Sequence, residues 1–183
     1  MDGTKYYQDY LNGDDTALAQ IIRLYKDGLI LYLNGYVKNI VTAEDLTEET
    51  FVKLVIRRPR FLGHGSFKTW LYTVGRNIAL DYLRVRKPRE VSLDECPEAF
   101  DEEQDLEQTY IRQEDRILLH RAMKKMKQEY RDVLWLIYFE GFTHKEVARI
   151  LRKTTHNVET MAYRARQALK TKLLEEGFIY EKL

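Results

Sequence analysis

The chain has 183 residues, 44% of them hydrophobic and 32% charged, with a formal net charge of +1. That is enough apolar material for one ordinary domain or two small ones, which excludes a wholly disordered chain. No apolar run approaches the roughly 20 residues needed to cross a bilayer, the single Cys96 allows no internal disulfide, and His64, His120, His144 and His156 fall in no metal-ligand spacing. The tyrosine-rich, acidic stretch from Met1 to Asp15 is unlike a secretory signal, so the expectation is a cytoplasmic protein without direct membrane insertion and without a cofactor.

Along the chain, the near-zero net charge resolves into blocks of opposite sign. Residues 1–56 carry 5 Lys+Arg against 9 Asp+Glu, 57–89 carry 9 against 1, 90–115 carry 1 against 11, and 116–183 carry 15 against 8. A basic block rich in Phe, Trp and Tyr points to nucleic acid, because cations hold phosphates while aromatic faces take unstacked bases. With only 9 glycines and 3 prolines, and no sustained alternation, the elements are helices and the fold class is all-α. Periodicity is weakest between Pro88 and about Asp105, where proline and dense acids argue against packing. The predicted organisation is therefore two small helical domains, 1–88 and 115–183, joined by an acidic flexible linker at 89–114.

In the first domain, Thr42-Ala43-Glu44-Asp45 predicts a helix start capped by Thr42. Ala43, Leu46, Thr50, Phe51, Leu54 and Val55 follow helical spacing inward, leaving Glu44, Asp45, Glu48, Glu49 and Lys53 on a polar face. That face suits idle surface or a charged docking patch equally. The segment Phe61-Leu62-Gly63-His64-Gly65-Ser66-Phe67 predicts a loop bracketed by phenylalanines, with Ser66 capping the next helix. Phe67, Leu71, Val74, Ile78 and Tyr82 line that helix's apolar face, and Lys68, Thr69, Tyr72, Arg76, Asn77 and Arg84 the opposite one. Phe67 suits burial as well as base contact. A helix of this kind beside an aromatic loop fits a protein that holds one strand of opened DNA.

In the second domain, Thr143-His144-Lys145-Glu146 forms a capping box opening a short helix with Val147, Ala148, Ile150 and Leu151. After a brief turn, Thr154 caps a second helix whose inward residues are Val158, Met161, Ala162, Ala165 and Leu169. Two short helices joined by a tight turn predict a helix-turn-helix, whose second helix enters the major groove N-terminus first. Thr155, His156, Glu159, Thr160 and Tyr163 face outward there, and Arg164, Arg166 and Lys170 follow as phosphate-directed charges.

The strings AEDLTEETFVKL (43–54), FLGHGSFKTWLYTVGRNIALDYLR (61–84), YFEGFTHKEVARIL (138–151) and YRARQALK (163–170) resemble the extracytoplasmic-function (ECF) group of bacterial RNA polymerase sigma factors. Asn12-Gly13-Asp14, with Ala17 and Leu18, is similar to that group's opening helix. The resemblance implies an initiation subunit without its own catalytic site, whose partners are core RNA polymerase and promoter DNA. It implies that Asp45, Glu48, Glu49 and Phe51 dock on the polymerase clamp helices. It places Phe61, His64, Ser66, Phe67, Lys68, Trp70, Arg76, Asn77 and Arg84 at the melted minus-ten element. Thr143, Thr155, His156, Asn157, Glu159, Thr160, Tyr163, Arg164 and Arg166 would lie at the minus-thirty-five element. An anti-sigma partner, common in the group, is expected to wedge between two freely placed domains. Relatives often carry a glycine in the helix-turn-helix turn, where this chain has Arg152 and Lys153. A stand-alone helix-turn-helix regulator is the rival reading, and it leaves the basic aromatic helix at 66–86 without a purpose.

Overall fold

A computed structural model describes residues 3–61, 66–86 and 117–178. The expected linker at 89–114 and His64 lie outside the described residues. Among those described, the regular elements are all helical. In chain order they are α1 (Gly3–Leu11), α2 (Asp15–Val37), α3 (Ile40–Arg57), α4 (Phe67–Arg86), α5 (117–124), α6 (Gln128–Leu134), a π-helical turn (Trp135–Phe139), α7 (His144–Leu151) and α8 (Thr155–Glu175).

Local chemistry sets most of the helix ends. Gly13, at φ +101°, makes the reversal after α1, and the Asp14 carboxylate accepts from the Thr16 amide at 2.9 Å to open α2. The Asn39 side chain accepts from the Thr42 amide at 2.9 Å, so α3 starts at Ile40 and Thr42 lies inside it rather than at its cap. Ser66 caps α4 through the Thr69 amide at 3.1 Å. Thr143 and Glu146 form the full capping box of α7, and Thr154 caps α8 through the Asn157 amide at 3.2 Å. Arg152 takes the left-handed conformation at φ 55° between α7 and α8, so the turn keeps the geometry a glycine would supply.

In the N-terminal unit, Ile21, Leu29 and Leu33 of α2, Leu54 of α3, and Phe67, Leu71 and Tyr72 of α4 are fully buried together. In the C-terminal unit Val133, Leu136, Val147, Ile150 and Val158 do the same. These two sets belong to one contiguous core. A smaller cluster of Met123, Met126, Leu134 and Ala165 ties α6 to α8.

The seam between the units is aromatic and polar. The Tyr36 hydroxyl donates to Asp132 Oδ2 at 2.6 Å and accepts from Arg76 Nε at 3.1 Å. Gln128 donates to Asp132 Oδ1 at 2.7 Å, and Arg131 donates to the Gly35 carbonyl at 3.1 Å. The rings of Tyr72 and Phe142 meet edge to face, with centroids 5.1 Å apart. Free placement of the two domains, expected from the linker's composition, therefore does not hold: the surfaces themselves are complementary, and linker charge carries no information about them.

Candidate polymerase and promoter interfaces

Three surfaces carry the predicted site residues. On α3 the inward stripe buries Ala43, Leu46, Thr50, Phe51 and Leu54. Phe51 is only 7% exposed, so it lies beneath the outer face of α3 instead of standing on it. Val55, expected inside, is exposed. Asp45, Glu48 and Glu49 are all exposed, and Glu49 is paired with Lys53 at 2.8 Å. Sequence reasoning missed the exposed Val41, Val52 and Ile56, which lie on the same stripe as Asp45 and Glu48 at spacings of three and four. The helical spacing itself holds that signal. Acids interleaved with exposed aliphatics have no intramolecular reason to stand in water, and they suit a partner face.

On α4 the result divides. Phe67 is 1% exposed and stacks on Tyr7 of α1 with centroids 4.4 Å apart, which settles it as a core residue. Phe61 is half-buried in the same aromatic cluster, 5.6 Å from Tyr7 and 6.3 Å from Trp70. The Tyr7 hydroxyl donates to the Pro59 carbonyl at 2.5 Å, and burial pushes its pKa up to about 12. Trp70 and Asn77 are half-exposed, and Arg84 is exposed beside Asp81 at 3.1 Å. Thr69 and Tyr72, expected on the open polar face, are buried. The C-terminal unit covers them.

Contacts across that cover are specific. Lys68 Nζ lies 3.3 Å from the Glu140 carboxylate, donates to the Glu140 carbonyl, and sits 4.7 Å above the Phe142 ring. The hydroxyls of Ser66 and Thr69 reach Glu146 Oε1 at 3.2 and 3.4 Å. At Glu146, burial opposes ionisation, but hydrogen bonds from the Thr143 backbone and hydroxyl and from Ser66 and Thr69 outweigh it and hold the carboxyl below its usual range.

On α8 the first turns are open. Thr155, His156, Asn157, Glu159, Tyr163, Arg164 and Arg166 are exposed, Thr160 is half-buried, and Val158, Ala162 and Ala165 face the core. Arg166 donates to the Tyr138 hydroxyl at 2.9 Å, which ties it to the π-helical turn. Thr143 is exposed at the mouth of α7. Among the described residues no group of three or more His, Cys, Asp or Glu side chains could hold a metal ion, and no helix is long and apolar enough to cross a membrane.

A helix-turn-helix with an outward polar recognition face also occurs in many regulators, and what decides between them is the rest of the chain. Residues 21–89 match sigma-70 region 2, and residues 116–169 match sigma-70 region 4, together about two thirds of the chain and in the order sigma factors use. The chain belongs to the ECF group of sigma-70 factors. It is 28% identical over 167 residues to the ECF sigma factor BldN of Streptomyces coelicolor, covering 90% of this chain and 63% of that one. The corresponding figures for the sigma factor YlaC of Bacillus subtilis are 29% over 168 residues, 87% and 95%. In fold it is similar to CnrH, solved in complex with the cytosolic domain of CnrY, with a TM-score of 0.66 at 19% identity over 95% of this chain and 98% of that one. This sigma factor thus spans a little under two thirds of BldN and nearly all of YlaC. A stand-alone regulator accounts for the region 4 match alone and leaves region 2 without a role.

Proposed function

We propose that this sigma factor docks on core RNA polymerase through the outward stripe of α3, holds the opened minus-ten strand on α4, and reads the minus-thirty-five element with the N-terminal turns of α8. The divisions 1–88, 89–114 and 115–183 follow as core-binding and melting domain, linker and reading domain. Bond-making chemistry belongs to the polymerase, the factor acts with it in the cytoplasm, and no cofactor is called for.

The observation that carries this reading is the ordered match of regions 2 and 4 on a chain whose three polar surfaces sit on three different helices. Asp45 and Glu48 supply charge on α3, and Val52 and Ile56 beside them supply apolar area, so docking combines steering with burial. Lys68, Arg76 and Arg84 supply phosphate contacts, and Trp70 a stacking face at the end of the aromatic cluster. Phe61 and Ser66 flank the base-capturing loop in sequence, while the buried Phe67 holds the scaffold.

The test is promoter-dependent transcription with purified core polymerase, paired with a pull-down. Asp45→Lys with Glu48→Lys should abolish retention on core polymerase and abolish initiation, with an unchanged helical circular dichroism spectrum. Both positions are exposed, and among the described residues neither has a partner that the change would break. Wild-type retention by the double variant would remove α3 from the docking role.

A further inference from the structure

The aromatic cluster that reaches Phe61 runs back into α1, a helix that precedes the residues matched to region 2. Its central member is Tyr7, whose ring stacks on Phe67 with centroids 4.4 Å apart and meets Phe61 at 5.6 Å. Phe61 lies 6.3 Å from Trp70 in turn. The series thus passes from a buried end at Phe67 to a half-exposed end at Phe61 and Trp70.

The same tyrosine holds the backbone that carries Phe61. α3 closes with Arg58 in the left-handed conformation, φ 38°, and among the described residues no backbone–backbone hydrogen bond reaches residues 59–61. What fixes this stretch is α1. The Tyr7 hydroxyl donates to the Pro59 carbonyl at 2.5 Å, and the Arg58 guanidinium lies 5.0 Å from the centre of the Tyr10 ring. Tyr7 and Tyr10 stand one turn apart on α1, each 2% exposed, so both grips come from one helix face.

We propose that Tyr7 is a positioning residue for reading the opened minus-ten strand: its ring and hydroxyl together fix where Phe61 presents itself, and so which bases are accepted there. This rests on the reading of Phe61 and α4 as the strand-binding surface. A stacking ring by itself accepts every base, because every base has a π-face. Preference among bases needs the ring and the backbone beside it held in one place, so that a wrong base meets misplaced groups instead of a surface that yields to it. Phe61 is held in this way, by Tyr7 and Phe67 on one side, by Trp70 on another, and through Pro59 two residues upstream. The hydroxyl is the part that a phenylalanine cannot supply: Tyr7→Phe keeps the ring stack and frees the carbonyl.

The experiment compares wild type, Tyr7→Phe and Tyr10→Phe as holoenzymes with purified core polymerase. Tyr10→Phe is the control, since its ring is equally buried and, among the described residues, its hydroxyl has no hydrogen-bond partner. Each holoenzyme is titrated with a library of single-stranded DNA oligonucleotides randomised over a short window, and the bound strands are sequenced. Retention on core polymerase and the median affinity for the library, which phosphate contacts set, should be the same for all three. The ratio of the best to the median affinity should fall about fivefold in Tyr7→Phe, the scale of one net hydrogen bond, and stay at the wild-type value in Tyr10→Phe. An unchanged ratio in Tyr7→Phe overturns the positioning role. Equal narrowing by Tyr10→Phe, or loss of core retention by Tyr7→Phe, overturns it as well, because either marks a general packing role. A wild type that binds every sequence alike removes the strand-reading role of Phe61 and α4 on which the proposal stands.

Discussion

Arg152 is an arginine in a conformation that favours glycine. At φ 55° its Cβ crowds the following carbonyl, and its side chain is exposed with nothing in the fold that demands it. Arg152→Gly removes that strain and gives back part of the gain through the greater freedom of glycine in the unfolded chain. The expected net effect is about 0.5–1 kcal/mol of added stability in urea unfolding. A loss of stability would mean that the arginine makes a compensating contact. Phe51 and Phe67 teach a different lesson about single residues. Each stood on an inward helical stripe and in a proposed contact set, and burial followed the stripe because neighbours such as Leu54 and Leu71 already close over that side.

At the scale of elements, capping chemistry was legible for α4, α7 and α8 and was misplaced for α3. The capping box of α7, the Thr154 cap of α8 and the Ser66 cap of α4 all form where their spacing puts them. The start of α3 moved three residues back because Asn39 accepts from the Thr42 amide, which begins the helix a turn before a Thr42 cap could have done. Two elements had no such signal. α1 owes its place to Tyr7, which stacks on Phe67 of α4 and donates to the Pro59 carbonyl, and to Tyr10 beneath the Arg58 guanidinium, a long-range gain that local spacing does not encode. The π-helical turn at Trp135–Phe139, with Trp135 and Phe139 stacked at 4.5 Å, is a packing adjustment of the same kind. α8 carries a prediction of its own, since the proposed function gives its exposed face both base readers and phosphate contacts. Glu159→Ala should relax preference at one base pair of the minus-thirty-five element, an effect worth about 1–3 kcal/mol of discrimination. Arg164→Ala should weaken holoenzyme binding to all promoters alike and lower its salt dependence. Competition binding on a promoter library with single-base changes separates the two, and equal scaling across the library by both variants would remove Glu159 as a reader.

The whole molecule is governed by the seam between its units, and Asp132 reports on it. Burial, the largest influence, raises its carboxyl above the ordinary value of 3.8, against the lowering pull of hydrogen bonds from Tyr36 and Gln128 and of the charges of Arg76 and Arg131. A carboxyl raised in the folded state stabilises most below its ordinary pKa and loses that contribution as pH rises through the raised value. An amide at this position does not titrate, so wild-type stability relative to Asp132→Asn should be greatest at the acid end and decline as pH rises above the ordinary carboxyl value of 3.8. Paired melting curves across that range measure it. A flat difference would place Asp132 in water, with the units apart. The same seam bears on the expected inhibitory partner: among the described residues the two units are in contact, so an anti-sigma protein that wedges between them would first have to part them.

The sequence by itself determined the all-helical class, the two units, the helix-turn-helix with its caps, and the charged stripe of α3. Each of these rests on interactions between residues within a few positions of one another, and such interactions leave a period or a cap in the string. Tertiary structure alone decided that Thr69 and Tyr72 are buried, that α1 braces the aromatic cluster, and that Lys68 and Arg76 face carboxylates and tyrosine instead of solvent. Those outcomes depend on which surface α6 and α7 present to α2 and α4 across nearly a hundred residues of chain, as between Tyr36 and Asp132. A polar helix face looks the same in sequence whether water, DNA or the other half of the molecule covers it, because the residues that satisfy it are the same.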